Sequence, residues 1–311
     1  MCRNSEVFRQ SADADQELYT GISELGNDVH DNTLRITGLG ANGLSHFAAA
    51  GYTTGVAGDL TNNALTLSSA NALTIRNVYG GYAANTASAA KVTGNSVTFT
   101  HGALSADNVY GGYTAADGTT NHNTVTLAGG TVTGTVSGGN RTAQGNKLVV
   151  NANARVGKIE NFEKYVFNYK ESMTADPMLT LTGGAASMRL DAIEANGTVT
   201  ETPTTLVHNA AGLTIADYDN KPKSMLNADG TRETNLDVRK TGTLLTDIIR
   251  YSSYSLKGTT ESTTNNGNTW GGRSSAGNTT AENSVTITGG NHTNIYGGWT
   301  RGTGSQAAAD K

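Results

Sequence analysis

The side chains best able to do chemistry in this chain are six histidines, His30, His46, His101, His122, His208 and His292, and a scatter of carboxylates. Two histidines four apart on a helix would hold a metal ion, and a histidine beside a hydroxyl would serve as a general base. No two of these histidines stand four apart, and no serine sits in a Gly-x-Ser-x-Gly elbow. Asp59, Asp107 and Asp117 fall in loops of successive repeats, where paired carboxylates could act on a polysaccharide. They occupy different positions within the repeat, so their expected role is solvated loop charge. Cys2 is the only cysteine, which excludes an internal disulfide and a cysteine metal cluster. The reading is of a protein that is not an enzyme, with no catalytic, cofactor-binding or metal-ligating residue, no cofactor, and ligand-binding residues left unassigned.

The elements that would position these residues come in two recurring words. The first starts with Asn and alternates: Asn63-Ala-Leu-Thr-Leu67, Asn95-Ser-Val-Thr-Phe99, Asn123-Thr-Val-Thr-Leu127 and Asn283-Ser-Val-Thr-Ile287, with looser copies at Asn32 and Asn146. Period-2 alternation of this kind is a strand with one apolar face, which places Val97, Phe99, Val125, Leu127, Val285 and Ile287 in a core. The second word is Asn77-Val-Tyr-Gly-Gly-Tyr82, repeated at Asn108–Tyr113 and as Asn294-Ile-Tyr-Gly-Gly-Trp299. Ala50-Gly-Tyr52, Val136–Asn140 and Thr269–Arg273 are worn versions. A repeat of about 30 residues with two short strands cannot bury its own apolar face, whereas stacked copies can. The fold class read from this is all-β: a parallel β-helix or β-solenoid with an irregular β insert. A two-sheet sandwich would not explain the same words at the same spacing.

Within the repeat, the leading Asn is expected in a tight turn, where it tolerates left-handed backbone angles. The Gly-Gly pair is expected at a corner that needs positive φ or close contact between coils. The flanking Tyr and Trp are expected to stack between coils, with an outward carbohydrate platform as the alternative. Thr66, Thr98, Thr126 and Thr286 should form an outward row, broken by Arg35 and Val149, too irregular to order ice.

Composition excludes other classes. Net charge is −4 with 15% charged residues, which gives no electrostatic case for nucleic acid. No stretch approaches the ~18 apolar residues of a membrane span. Met1 to Gln10 lacks the apolar core of a signal peptide, and no run of strands marks an outer-membrane barrel. The sequence stops inside a repeat and reads as a fragment. The expected organisation is a flank or cap at 1–30, with a helix over Ser5 to Leu25; solenoid repeats at 31–157; a non-repetitive β segment at 158–260; and resumed, truncated repeats at 261–311.

The words Asn-x-Val-Thr-Ile-Thr-Gly-Gly and Asn-Val-Tyr-Gly-Gly-Tyr, with the segment Gly157 to Phe167 and Met178 to Thr182 after them, resemble the passenger regions of bacterial autotransporters and adhesin-like surface proteins. The resemblance implies type V secretion, a β-helical passenger at the cell surface or secreted, and adhesion. It carries over no catalytic residue. The partners it implies are host or bacterial surface glycans or proteins, with no nucleic acid and no membrane contact by this chain itself. The alternatives are a carbohydrate-active β-helix enzyme, of the polysaccharide lyase or glycosidase kind, and an ice- or crystal-binding solenoid.

Overall fold

The structure is a computed structural model describing residues 5–10, 17–39, 44–68, 73–87, 89–100, 104–141, 144–170, 176–197, 203–220, 223–226, 232–254, 259–262, 268–274, 284–289 and 292–300. Cys2, His101, Asn283 and the Asp229-Gly230 turn lie outside the described residues. The chain divides into two compact units. The first holds Met1–Gly197, Leu206–Asp217 and Lys240–Asp247, and the second holds the remainder.

The first unit is a parallel β-solenoid. Its first sheet has 8 strands in stacking order Ser5–Gln10, Thr33–Leu39, Ala64–Leu67, Ser96–Phe99, Thr124–Ala128, Lys147–Ala152, Lys164–Tyr169 and Ile193–Gly197. Every neighbouring pair is parallel. The second sheet stacks Leu18–Ser23, Leu44–Thr53, Leu73–Ala83, Leu104–Thr114, Thr131–Gly139, Ala154–Glu160, Leu179–Leu181 and Thr204–Asn209 in the same sense. A third ladder joins Val29–His30, Leu60–Thr61 and Val92–Thr93, so the early coils have three sides. Parallel strands cannot be joined by hairpins, and the chain meets this by completing a coil between successive partners.

The register follows the recurring words. Leu34, Leu65, Val97, Val125, Leu148, Tyr165 and Ile193 form one inward column. Val97, Phe99, Val125 and Leu127 are each at most 1% exposed, as their alternation predicts. The third side closes the core with Val29, Leu60, Ala83, Ala90 and Val92. Full burial of such a side chain contributes roughly 1.5–3 kcal/mol, and no coil could obtain it alone.

One expectation changes. The helix expected over Ser5 to Leu25 is absent among the described residues: Ser5–Gln10 and Leu18–Ser23 are strands, paired in parallel with Thr33–Leu39 and Leu44–Thr53. The exposed strand edges of the next coil outweigh a weakly amphipathic local pattern. Beyond Gly157 the words fade but the ladders do not. The two sheets continue through Lys164–Tyr169, Leu179–Leu181 and Ile193–Gly197, with a 3-10 turn at Leu190–Ala192.

In the second unit Lys223–Leu226 pairs antiparallel with Arg232–Thr241. Thr259–Ser262 pairs in parallel with Ser284–Ile287, and Asn268–Ser274 with Asn294–Thr300. The second word is again in register, Trp270 opposite Tyr296 and Gly272 opposite Gly298. Val285 and Ile287 are not core residues: Val285 is half-buried and Ile287 is 38% exposed. Their ladder has two strands only, so no further described coil covers the apolar side.

Candidate functional site on the outer face of the second sheet

The repeated asparagines are the first surprise. Asn32, Asn63, Asn95, Asn123 and Asn146 are completely buried. The left-handed residue is the one before each of them: Asp31, Asn62 and His122 at φ of 55, 55 and 54°, and Gly94 and Gly145 at 70°. That turn swings the following Asn inward, where it meets its counterparts. Asn32 Nδ2 donates to Asn63 Oδ1 (2.8 Å), Asn63 Nδ2 to Asn95 Oδ1 (2.9 Å) and Asn95 Nδ2 to Asn123 Oδ1 (3.3 Å). Each Oδ1 also accepts a backbone N–H from the coil before it, down to Asn123 N to Asn146 Oδ1 at 2.7 Å. The second amide hydrogen reaches back to a carbonyl, as from Asn63 to Val29 (2.9 Å) and Asn95 to Leu60 (2.9 Å). A buried amide is tolerated only when satisfied, and identical neighbours one strand spacing away supply the partners.

The Gly-Gly pairs pack on this ladder. None of Gly80, Gly81, Gly111, Gly112, Gly138 and Gly139 has positive φ; close approach is what excludes a side chain. A Cβ on Gly112 would lie 2.7 Å from Asn123 Nδ2, and one on Gly51 would lie 2.5 Å from Asn63 Nδ2.

Outside the same strands stands an aromatic stack. Tyr79 is parallel to Tyr82 (centroids 4.4 Å apart, 15°) and to Tyr110 in the next coil (5.4 Å, 9°). Tyr52 stacks on Tyr82 (5.3 Å), and Tyr113 meets Tyr82 edge-on (5.6 Å). Residues three apart in a flat strand point to opposite faces; the Gly-Gly step brings Tyr79 and Tyr82 to the same one. Ala49 replaces tyrosine in the Tyr79 column, and the ring of Phe47 packs there instead, 5.2 Å from Tyr82 and 5.9 Å from Tyr79. The rings therefore stack between coils, and their faces are largely turned on one another. The hydroxyls of Tyr52, Tyr79, Tyr82, Tyr110 and Tyr113 bond no described protein group and are not sealed from water, so the strip presents phenol edges. Burial, and next the Glu17 carboxylate, pushes Tyr52 up to about 12. Burial among neighbouring phenols raises Tyr79 further, and burial also raises Tyr82 and Tyr110. These phenols are uncharged hydrogen-bonding groups across the physiological range.

Histidines and carboxylates fall into separate small pairings. His30 Nδ1 lies 2.9 Å from Asp31, His46 3.7 Å from Glu17, and His292 Nε2 3.0 Å from the Gly289 carbonyl. His122 serves the turn. Asp59 accepts the Lys91 backbone N–H (2.9 Å), Asp107 faces Arg76 (3.9 Å) and Asp117 faces Arg141 (3.5 Å). Each of these three aspartates faces a different partner. Among the described residues no three His, Cys, Asp or Glu side chains converge on a metal position. The Thr row forms as three adjacent residues, Thr66, Thr98 and Thr126, between Arg35 and Val149.

Sequence spacing gave no sign of one pairing. His208 Nδ1 donates to Asp247 Oδ1 (2.7 Å), and Thr246 Oγ1 donates to Asp247 Oδ2 (2.8 Å). Thr241 and Thr246 hydroxyls are 3.0 Å apart. His208 also lines a cleft of about 640 Å³ with Arg155, Thr180 and Asp176. The partners stand 39 positions apart in the chain, so no local motif could reveal the pair.

No family model matches the chain, and neither a curated protein nor a solved structure does.

Proposed function

We propose that this chain is a non-catalytic structural and adhesive module of a secreted or cell-surface protein, of the kind found in type V secreted autotransporter passengers. The observation that carries the reading is the division of labour in the repeat. Asn, Gly and the apolar columns are consumed by coil-to-coil stacking, leaving the outer face of the second sheet as a strip of uncharged tyrosine hydroxyls. Such a strip suits contact with glycan or protein surfaces. A chain with one cysteine suits export in the unfolded state followed by coil-on-coil folding.

The test is display of the chain on a bacterial surface through a heterologous outer-membrane barrel. Cells should adhere to glycan- or protein-coated surfaces above barrel-only cells, and Tyr82→Ala with Tyr113→Ala should reduce this. Adhesion equal to the barrel alone would overturn the reading. The competing enzyme reading has the His208–Asp247 pair in its favour; turnover of a polysaccharide by the purified chain would establish it instead. The crystal-binding reading is disfavoured by a Thr row only three coils long.

A further inference from the structure

Outside the tyrosine strip, the second sheet carries an outward column that changes character along the stack. Register places Thr131 beside Arg155, Arg155 beside Thr180, and Thr180 beside His208. Successive strands are about 4.8 Å apart, so Arg155 and His208 are separated by about 10 Å at the backbone, with the Thr180 hydroxyl between them. All three line the same cleft.

Two features make this more than a crease. Arg155 is exposed, and among the described residues no carboxylate holds its guanidinium. His208 is oriented: Asp247 takes Nδ1, Thr246 fixes Asp247, and Thr241 backs Thr246. Nε2 is the ring nitrogen left for the cleft. Another part of the lining is also fixed, because Asn153 Nδ2 donates to the carbonyls of Asp176 and Pro177, both at 3.0 Å. Ordering one histidine through three side chains is more than an exposed ion pair needs for stability.

We infer that this cleft binds a carboxylate-bearing saccharide, an inference that rests on the adhesive reading above. Arg155 matches a carboxylate in geometry and charge. Asp176 on the same cleft is an acceptor and repels a purely anionic ligand, so phosphate, sulfate or nucleic acid is a poor occupant. The ligand must bring one anionic group for Arg155 and hydroxyl donors for Asp176 and His208 Nε2. A sugar acid brings both, and the span from Arg155 to His208 suits two linked rings.

The test is titration of the full chain with uronate and sialate oligosaccharides and with their methyl-esterified forms, read by calorimetry and by the His208 ring resonances. At least one acid should bind and shift His208, with the ester about tenfold weaker or more, as expected on losing a charge-assisted bond. Arg155→Gln should weaken the acid by a similar factor and leave the ester unchanged. His208→Gln should weaken both forms. No binding by any acid, or equal binding of acid and ester, overturns the inference, as does sugar turnover, which would make the pair catalytic. Surface adhesion that persists in wild type without acid-sugar binding sinks this inference alone. Wild-type cells that fail to adhere sink the adhesive reading, whatever the titration shows.

Discussion

Replacing Asn95 by Ala tests whether the buried asparagine ladder is a structural necessity. Asn95 Oδ1 accepts both the backbone N–H and the Nδ2 of Asn63, each at 2.9 Å. Truncation strands these two donors where no water reaches, at about 1–3 kcal/mol each. It also removes the Nδ2 donor to the Leu60 carbonyl (2.9 Å). The expected loss is therefore about 2–6 kcal/mol, a large part of the roughly 5–15 kcal/mol that holds a domain folded. Equilibrium unfolding in urea, followed by far-UV circular dichroism, measures it. The control is Asn108→Ala: Asn108 joins an outer ladder, donating to Asn77 Oδ1 (3.0 Å) and accepting from Thr135 N–H (2.9 Å), but it is half-buried and water can replace it. That variant should lose about 1 kcal/mol or less. The double variant Asn63→Ala, Asn95→Ala should cost less than the sum of the singles, because Asn63→Ala removes one of the stranded donors. Asn95→Ala within about 0.5 kcal/mol of wild type, or strict additivity in the double variant, would refute the reasoning.

Gly138→Ala should destabilise by about 1–3 kcal/mol through overpacking, since its Cβ would lie 2.5 Å from Asn146 Cβ and 2.6 Å from the Asn161 carbonyl. Gly38→Ala, with nothing within 4 Å of the new Cβ, should be neutral in the same urea series. Val125→Asp buries an unpaired charge at a fully buried position and should cost about 3–5 kcal/mol, while the neighbouring outward Thr126→Asp should be tolerated; thermal unfolding of the two variants compares them. Tyr52 and Tyr165, both pushed up to about 12 by burial first, hold their protons more tightly folded than unfolded. The stability this contributes is complete below pH 10 and falls as pH rises from 10 to 12; phenolate absorbance should appear near pH 10 in urea and later in the native protein, and coincident titrations would refute it.

Sequence alone went far with the strands and less far with everything between them. Val97, Phe99, Val125 and Leu127 were legible as core because alternation is a local property of the pleat, and the matched words supplied the register between coils. Even the worn copies pair as the words suggest, Gly51 with Gly81 and Gly112 with Gly139. The same local reasoning failed at Ser5–Gln10 and Leu18–Ser23, where a neighbouring strand edge decided the conformation, and at Ile287, where burial depends on a coil on the far side. The candidate site was legible only in part. The tyrosine columns were visible as repeats, but their stacking faces and outward hydroxyls required the Gly-Gly step in three dimensions.

His208 and Asp247 meet only because distant strands are brought side by side, a proximity no spacing encodes. The asparagines divide the two kinds of knowledge most clearly. Their recurrence, and their place ahead of each strand, are written in the chain. Their burial is not, because an isolated coil would leave each amide without partners; only the next Asn, one strand spacing away, supplies an Oδ1 for it to bond.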